Sequence, residues 1–179
     1  MNILRTPITL AVATLLAMTA SAADETKTPK VGDKAPAITG KDQDGKTWKL
    51  AGHTGKKVVL LYFYPKDDTK GCTLQACGLR DRMEDLKKEN VEVVGVSFDS
   101  EDSHQKFIAK HNLNFTLLAD TDGKIADAYG VRREAGKNMA RRASFLIGKD
   151  GRIAHVTDTP SAETHLAEMK EAVAKLAKR

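Results

Sequence analysis

The sequence predicts an α/β fold, a mixed and mostly parallel central sheet flanked by helices on both faces. Three observations carry this. Short runs rich in β-branched and aromatic residues alternate with stretches of helical periodicity. Two turn sequences, Asp42-Gln-Asp-Gly45 and Gly148-Lys-Asp-Gly151, each separate a pair of short strands. A long amphipathic segment closes the chain. Strands alternating with helices indicate crossover units in one sheet, to which hairpins add antiparallel members.

The 179-residue chain opens with Arg5 as the only charge before Asp24, the apolar stretch Ile8–Met18, and Ala20-Ser21-Ala22. This is the layout of a secretory signal peptide cut after Ala22. The apolar stretch is shorter than the ~20 residues that span a bilayer. The expectation is an exported, periplasmic protein without stable membrane association. It would have a flexible polar lead-in over 23–34 and one domain over 35–179.

Ile38, Trp48 and Leu50 flank the first turn and make it a hairpin. Val58–Tyr64 is a continuous apolar run, too short for an independent helix, and reads as a buried strand. Pro65 stops it, because proline cannot donate to a strand ladder. Lys66–Gly71 is a polar loop. From Cys72 the pattern turns helical, with Leu79, Met83 and Leu86 at spacings of four and three among charged residues. Val91–Phe98 is the next strand. Ser100 is placed to cap a helix running to about Asn112, with Glu101 and Asp102 in its first turn. Phe115–Ala119 is a short strand, and Asp122–Tyr129 a short helix ended by Gly130. Ala143–Ile147 and Ile153–Val156 form the second hairpin. Pro160–Lys178 is a helix with Leu166, Met169, Val173 and Leu176 on one face.

The 29 basic against 24 acidic residues give a net charge of +5. These charges are dispersed, so no nucleic-acid partner is expected. The two cysteines are more informative. An exported chain stapled by disulfides places paired cysteines far apart, whereas Cys72 and Cys77 lie five residues apart. Cys72 falls at a strand–loop–helix junction, where free N–H groups and the helix dipole favour an anion. Its thiol is therefore expected to ionise more readily than the ordinary pKa of about 8.5 allows. On a regular helix the two Cα atoms stand about 8.7 Å apart, beyond the roughly 4.4–6.8 Å a disulfide spans. The spacing argues for a transient disulfide formed by unwinding the helix.

The run Pro65-Lys-Asp-Asp-Thr69-Lys-Gly-Cys72-Thr-Leu-Gln-Ala-Cys77 resembles the active-site segment of peroxiredoxins, and within them the bacterioferritin comigratory protein / peroxiredoxin Q group. Pro65, Thr69 and Cys72 meet the pattern P-x-x-x-[TS]-x-x-C, and Cys77 meets the subgroup's second cysteine. The resemblance implies a thioredoxin-like fold and a thiol peroxidase acting on hydrogen peroxide and organic hydroperoxides. Cys72 would be the nucleophile that becomes a sulfenic acid, and Cys77 the resolving cysteine. Thr69 would hydrogen-bond the peroxide, and Pro65 would fix the loop and shield the sulfur. The active-site arginine of the family stands two residues before a hydroxyl residue of the next strand. Arg142-Ala-Ser144 matches that pattern, so Arg142 is assigned, with Arg141 as its neighbouring alternative. No cofactor or metal is implied. The reductant would be a thioredoxin-like dithiol protein and the enzyme a monomer. Lys70 departs from the proline that commonly precedes Gly-Cys in the family.

Two other readings use the same residues. A thioredoxin-type thiol–disulfide oxidoreductase favours C-x-x-C, which closes without melting the helix. A copper-binding chaperone on the same fold would pair the thiolates with a distant histidine. His53, His104, His111, His155 and His165 are available but form no H-x-H or H-x-x-x-H pair, which suits surface or satisfied core residues.

Overall fold

The computed structural model describes residues 28–134 and 137–176. The expected signal segment and the start of the lead-in lie outside them. Thr39–Asp42 (β1) and Thr47–Lys49 (β2) form the first hairpin. Gly45 supplies its left-handed residue, and the Asp42 carboxylate accepts from the amides of Asp44 and Lys46. Val58–Phe63 (β3) is buried along its whole length. Lys70–Arg80 (α1) and Met83–Lys88 (α2) follow, then Val91–Ser97 (β4). Glu101–His111 (α3) begins where expected, with the Ser100 side chain accepting from the Ser103 amide, and Asn112 ends it in the left-handed region at φ 51°. Thr116–Ala119 (β5), Lys124–Ala128 (α4), Ala143–Ile147 (β6), Ile153–Asp158 (β7) and Ala162–Leu176 (α5) complete the chain.

The seven strands run in the order β2-β1-β5-β4-β3-β6-β7. The expectation of a mostly parallel sheet is corrected here. Among neighbouring pairs only β3/β4 and β4/β5 are parallel. A parallel pair needs a helical crossover, and α1–α2 and α3 supply two. The two hairpins then add to the edges, β1 antiparallel to β5 and β6 antiparallel to β3.

The period-2 alternation of β3 divides the core. Val59, Leu61 and Phe63 face one cluster with Val96, Leu118 and Phe145, closed by Ile125 and Tyr129 around α4 and by Trp48 of the hairpin. Leu60, Tyr62 and Tyr64 face the other with Val93, Leu117 and Leu146, covered by α1, α2, α3 and α5. Helices therefore lie on both faces, and Cys72 belongs to the second layer.

Two further expectations change. The helix from Cys72 through Leu86 is broken at Asp81 and Arg82. Gly78 presses against α5 so closely that a Cβ there would lie 2.5 Å from Leu166 Cδ1. Having docked on α5, the chain redirects at 81–82, so that Met83 and Leu86 also reach the second core. Residues 28–34 are not a free lead-in. The Gly32 amide donates to Ile153 O and Thr28 Oγ1 to Gly130 O, and Lys34 bridges to Arg152. This segment satisfies backbone groups beside β7 that would otherwise stay unpaired at the sheet edge.

Candidate active site

The site is built where β3 delivers the chain onto α1. Tyr64 and Pro65 leave the strand, and the loop that follows is tied down by Asp67. The Asp67 carboxylate accepts from Tyr64 Oη at 2.7 Å, from Ser103 Oγ at 2.8 Å and from His104 Nδ1 at 2.9 Å. Its amide donates to Asp99 Oδ2. His104 Nε2 faces the Leu118 carbonyl at 3.2 Å, so both ring nitrogens meet acceptor oxygens. Burial by itself raises the Asp67 pKa. The His104 hydrogen bond and charge, with those from Tyr64 and Ser103, outweigh it and leave the group below its ordinary value. A buried Asp67–His104 contact between the loop and α3 thus positions the residues before Cys72.

Cys72 is the third residue of α1 and 1% exposed. Thr69 precedes the helix in extended conformation, but its hydroxyl does not cap it and donates to Lys66 O at 3.2 Å. The free N–H groups of the first turn are left to whatever lies beside the sulfur. Arg142 arrives from the start of β6, almost fully buried, with each arm engaged: Nη2 at 3.4 Å from Cys72 Sγ, Nη1 on Gln75 Oε1, and Nε on Pro160 O at 3.0 Å. Arg141 points away, to Asp158, Thr28 Oγ1 and Gly130 O. Successive side chains along an extended segment face opposite sides, which separates the two arginines cleanly. Pro65 lines a cleft of ≈ 320 Å³ with Arg142, Arg133, Thr159 and Pro160.

Cys77 is half-buried on the same helix, and both cysteines are free. Regular helix between them leaves their Cα atoms about 8.7 Å apart, so this is the dithiol form and a bond between them requires α1 to open. Gln75 is the site residue that sequence reasoning missed. It is 1% exposed, and its position one helical turn after Cys72 puts it on the same face. That signal was legible in the spacing. The Tyr62 hydroxyl is buried in the same layer without a partner among the described residues.

The AhpC/TSA family model matches residues 31–156. Peroxiredoxin Bcp of Escherichia coli is 46% identical over 141 residues, covering 76% of this chain and 90% of that protein. Peroxiredoxin Bcp of Bacillus subtilis is 42% identical over 146 residues, with 79% and 92% covered. The chain is a peroxiredoxin of the AhpC/TSA family. Its fold matches the crystal structure of the peroxidoxin BcpB from Mycobacterium tuberculosis with a TM-score of 0.75 at 31% identity, covering 83% of this chain and 96% of that one.

As a peroxiredoxin, the protein is a peroxidase of the oxidoreductase class with a thioredoxin-like fold. Its histidines are engaged elsewhere than at the cysteines: His53 with Glu92, His104 with Asp67, His111 with Asp68, His155 with Glu168, and His165 with Ser144. Among the described residues no three His, Cys, Asp or Glu side chains converge as a metal-binding group. The peroxiredoxin therefore offers no ligand set for the copper reading among those residues.

Proposed function

We propose that this peroxiredoxin reduces peroxides through Cys72 and resolves the product with Cys77. The observation that carries the reading is the Arg142 guanidinium, 3.4 Å from a buried sulfur at the start of α1. An arginine there places a permanent cation where a thiolate and, later, a leaving oxygen need one. The Cys72 thiolate attacks one oxygen of R–O–O–H. The O–O bond breaks, Cys72 becomes a sulfenic acid, and the departing oxygen takes a proton and leaves as ROH, or as water for hydrogen peroxide. Thr69, whose hydroxyl is uncommitted to capping, hydrogen-bonds the peroxide, and Pro65 shields the sulfur. Cys77 then attacks the Cys72 sulfur and releases water as α1 unwinds. A dithiol protein returns the disulfide to two thiols by exchange. The Xanthomonas campestris bacterioferritin comigratory protein, 25% identical, is described with alkyl peroxide reduction activity, which supports organic hydroperoxides as substrates. The signal-peptide layout read in the sequence of residues 1–22 supports a periplasmic enzyme served by a periplasmic thioredoxin-like donor, and a monomer is part of the same proposal.

Intact mass after one equivalent of hydrogen peroxide tests the chemistry. Wild type is expected to lose about two mass units as the disulfide forms. Cys77→Ser should gain oxygen, and Cys72→Ser should not react quickly. Slow and equal oxidation of all three would make Cys72 an ordinary thiol and overturn the reading.

A further inference from the structure

Two residues beyond Arg142 in the chain begins a second buried pair. Ser144 in β6 and His165 in the first turn of α5 are each 1% exposed, and Ser144 Oγ lies 2.7 Å from His165 Nδ1. His165 Nε2 lies 2.9 Å from the Thr159 carbonyl. A carbonyl only accepts, so Nε2 carries a proton, and in the neutral ring Nδ1 accepts the Ser144 hydroxyl proton. Burial lowers the His165 pKa; the hydrogen bond to Thr159 opposes it, the Arg142 charge acts with it and Glu168 and Asp158 against it, and the net shift is downward. One peptide beyond Thr159, the Pro160 carbonyl accepts from Arg142 Nε.

We propose that His165 is a positioning residue for peroxide reduction: its Nε2–H, required by the acceptor-only Thr159 carbonyl, clamps that carbonyl while Ser144 donates to Nδ1, so that the adjacent Pro160 carbonyl aims the Arg142 guanidinium at Cys72. The inference rests on the reading of Cys72 and Arg142 given above. Its physical reason lies in where the anchors of Arg142 are. Gln75 sits on α1 between the two cysteines and is displaced whenever that helix opens for the disulfide. Pro160 belongs to the turn between β7 and α5, outside the segment that unwinds. The clamp at Thr159 therefore holds the cation in place through each turnover, ready for Cys72 when α1 re-forms. Misplacing a catalytic group by about 1 Å can cost on the order of 10²-fold in rate, so a loose turn at 159–160 is felt at the sulfur.

The test is the rate of Cys72 oxidation by hydrogen peroxide in stopped flow from pH 5 to 9, for wild type, His165→Leu, His165→Gln and Arg142→Lys. His165→Leu is expected to lose on the order of 10- to 100-fold, with its pH profile moved to higher pH. His165→Gln carries an N–H that reaches the same carbonyl and should recover to within roughly threefold of wild type. A slow Arg142→Lys together with a folded His165→Leu of wild-type rate and profile overturns the role of His165 alone. A wild-type rate in Arg142→Lys overturns the reading of Arg142 and this inference with it. Should His165→Leu not fold, the wild-type ring decides. Nitrogen-15 spectra at pH 7 must show the Nε2–H tautomer, and the Nδ1–H form or the imidazolium overturns the clamp.

Discussion

Arg142 satisfies three partners at once, a sulfur, an amide oxygen and a carbonyl, with a planar fork that lysine lacks. Arg142→Lys is therefore expected to lose on the order of 10²–10³-fold in peroxide rate, the usual cost of removing one preorganised donor, while the folded state persists. Stopped-flow kinetics check the first statement and circular dichroism the second. The Asp67–His104 pair is a different kind of site, structural and fully enclosed. His104→Ala removes one partner and leaves the carboxylate unpaired beside Tyr64 and Ser103. The expected destabilisation is about 3–5 kcal/mol, read from the urea midpoint. The loop keeps further anchors in that variant, the Asp67 amide on Asp99, Ser103 on Asp67, and Lys110 and His111 on Asp68.

At the scale of the element, α1 carries two opposed demands. In the mechanism proposed above it must be a helix to present the first-turn N–H groups to Cys72, and it must unwind to bring Cys77 within bonding reach. Lys70 sits at the first helical position, where a proline is preorganised and its missing N–H costs nothing. Thr69 before it is already extended, at φ −85° and ψ 150°, as a residue preceding proline must be. Lys70→Pro should therefore stabilise the dithiol form by about 0.4–1 kcal/mol and slow Cys72–Cys77 bond formation. Thermal unfolding checks the first effect and quenched-flow mass analysis of disulfide formation the second. Faster bonding in that variant would mean that opening begins elsewhere in the helix.

For the molecule as a whole, buried titrating groups set how stability follows pH. His165 and Asp67 are both held below their ordinary values. Their contributions are present above the unfolded values, about 6.5 and 3.9, and are lost as the pH falls through the lower folded ones. Asp120 works in the other direction. Burial pushes it up to about 6, outweighing the amides of Ile125 and Ala126 that donate to its carboxylate. Its contribution is complete below about pH 4 and lost as the pH rises through about 6. Between pH 4 and 7, wild type should lose up to about 3 kcal/mol that Asp120→Asn does not. Denaturant titrations of both proteins across that range measure the difference in slope.

The sequence by itself determined the strand β3, the loop and helix carrying both cysteines, and the cap at Ser100. Each is written in contiguous residues: an apolar run, a proline stop, a spacing of five, a serine before two acids. Through the family resemblance it also assigned the cation to Arg142, with Arg141 as the neighbouring alternative, since the family spacing resides in consecutive residues. Only the tertiary structure shows which of the two lies beside the sulfur, because which side of an extended segment faces Cys72 depends on how β6 pairs with β3. The sheet's antiparallel majority, the break between α1 and α2, and the anchoring of residues 28–34 were equally beyond local pattern. They arise from long-range pairing and from Gly78 closing on Leu166. Gln75 was legible as a helical neighbour of Cys72, yet its function appears only once Arg142 meets it. His104 and His165 read as scattered histidines, and their burial against Asp67 and Ser144 appears only in three dimensions, since a side chain's partners are set by what the fold brings to it.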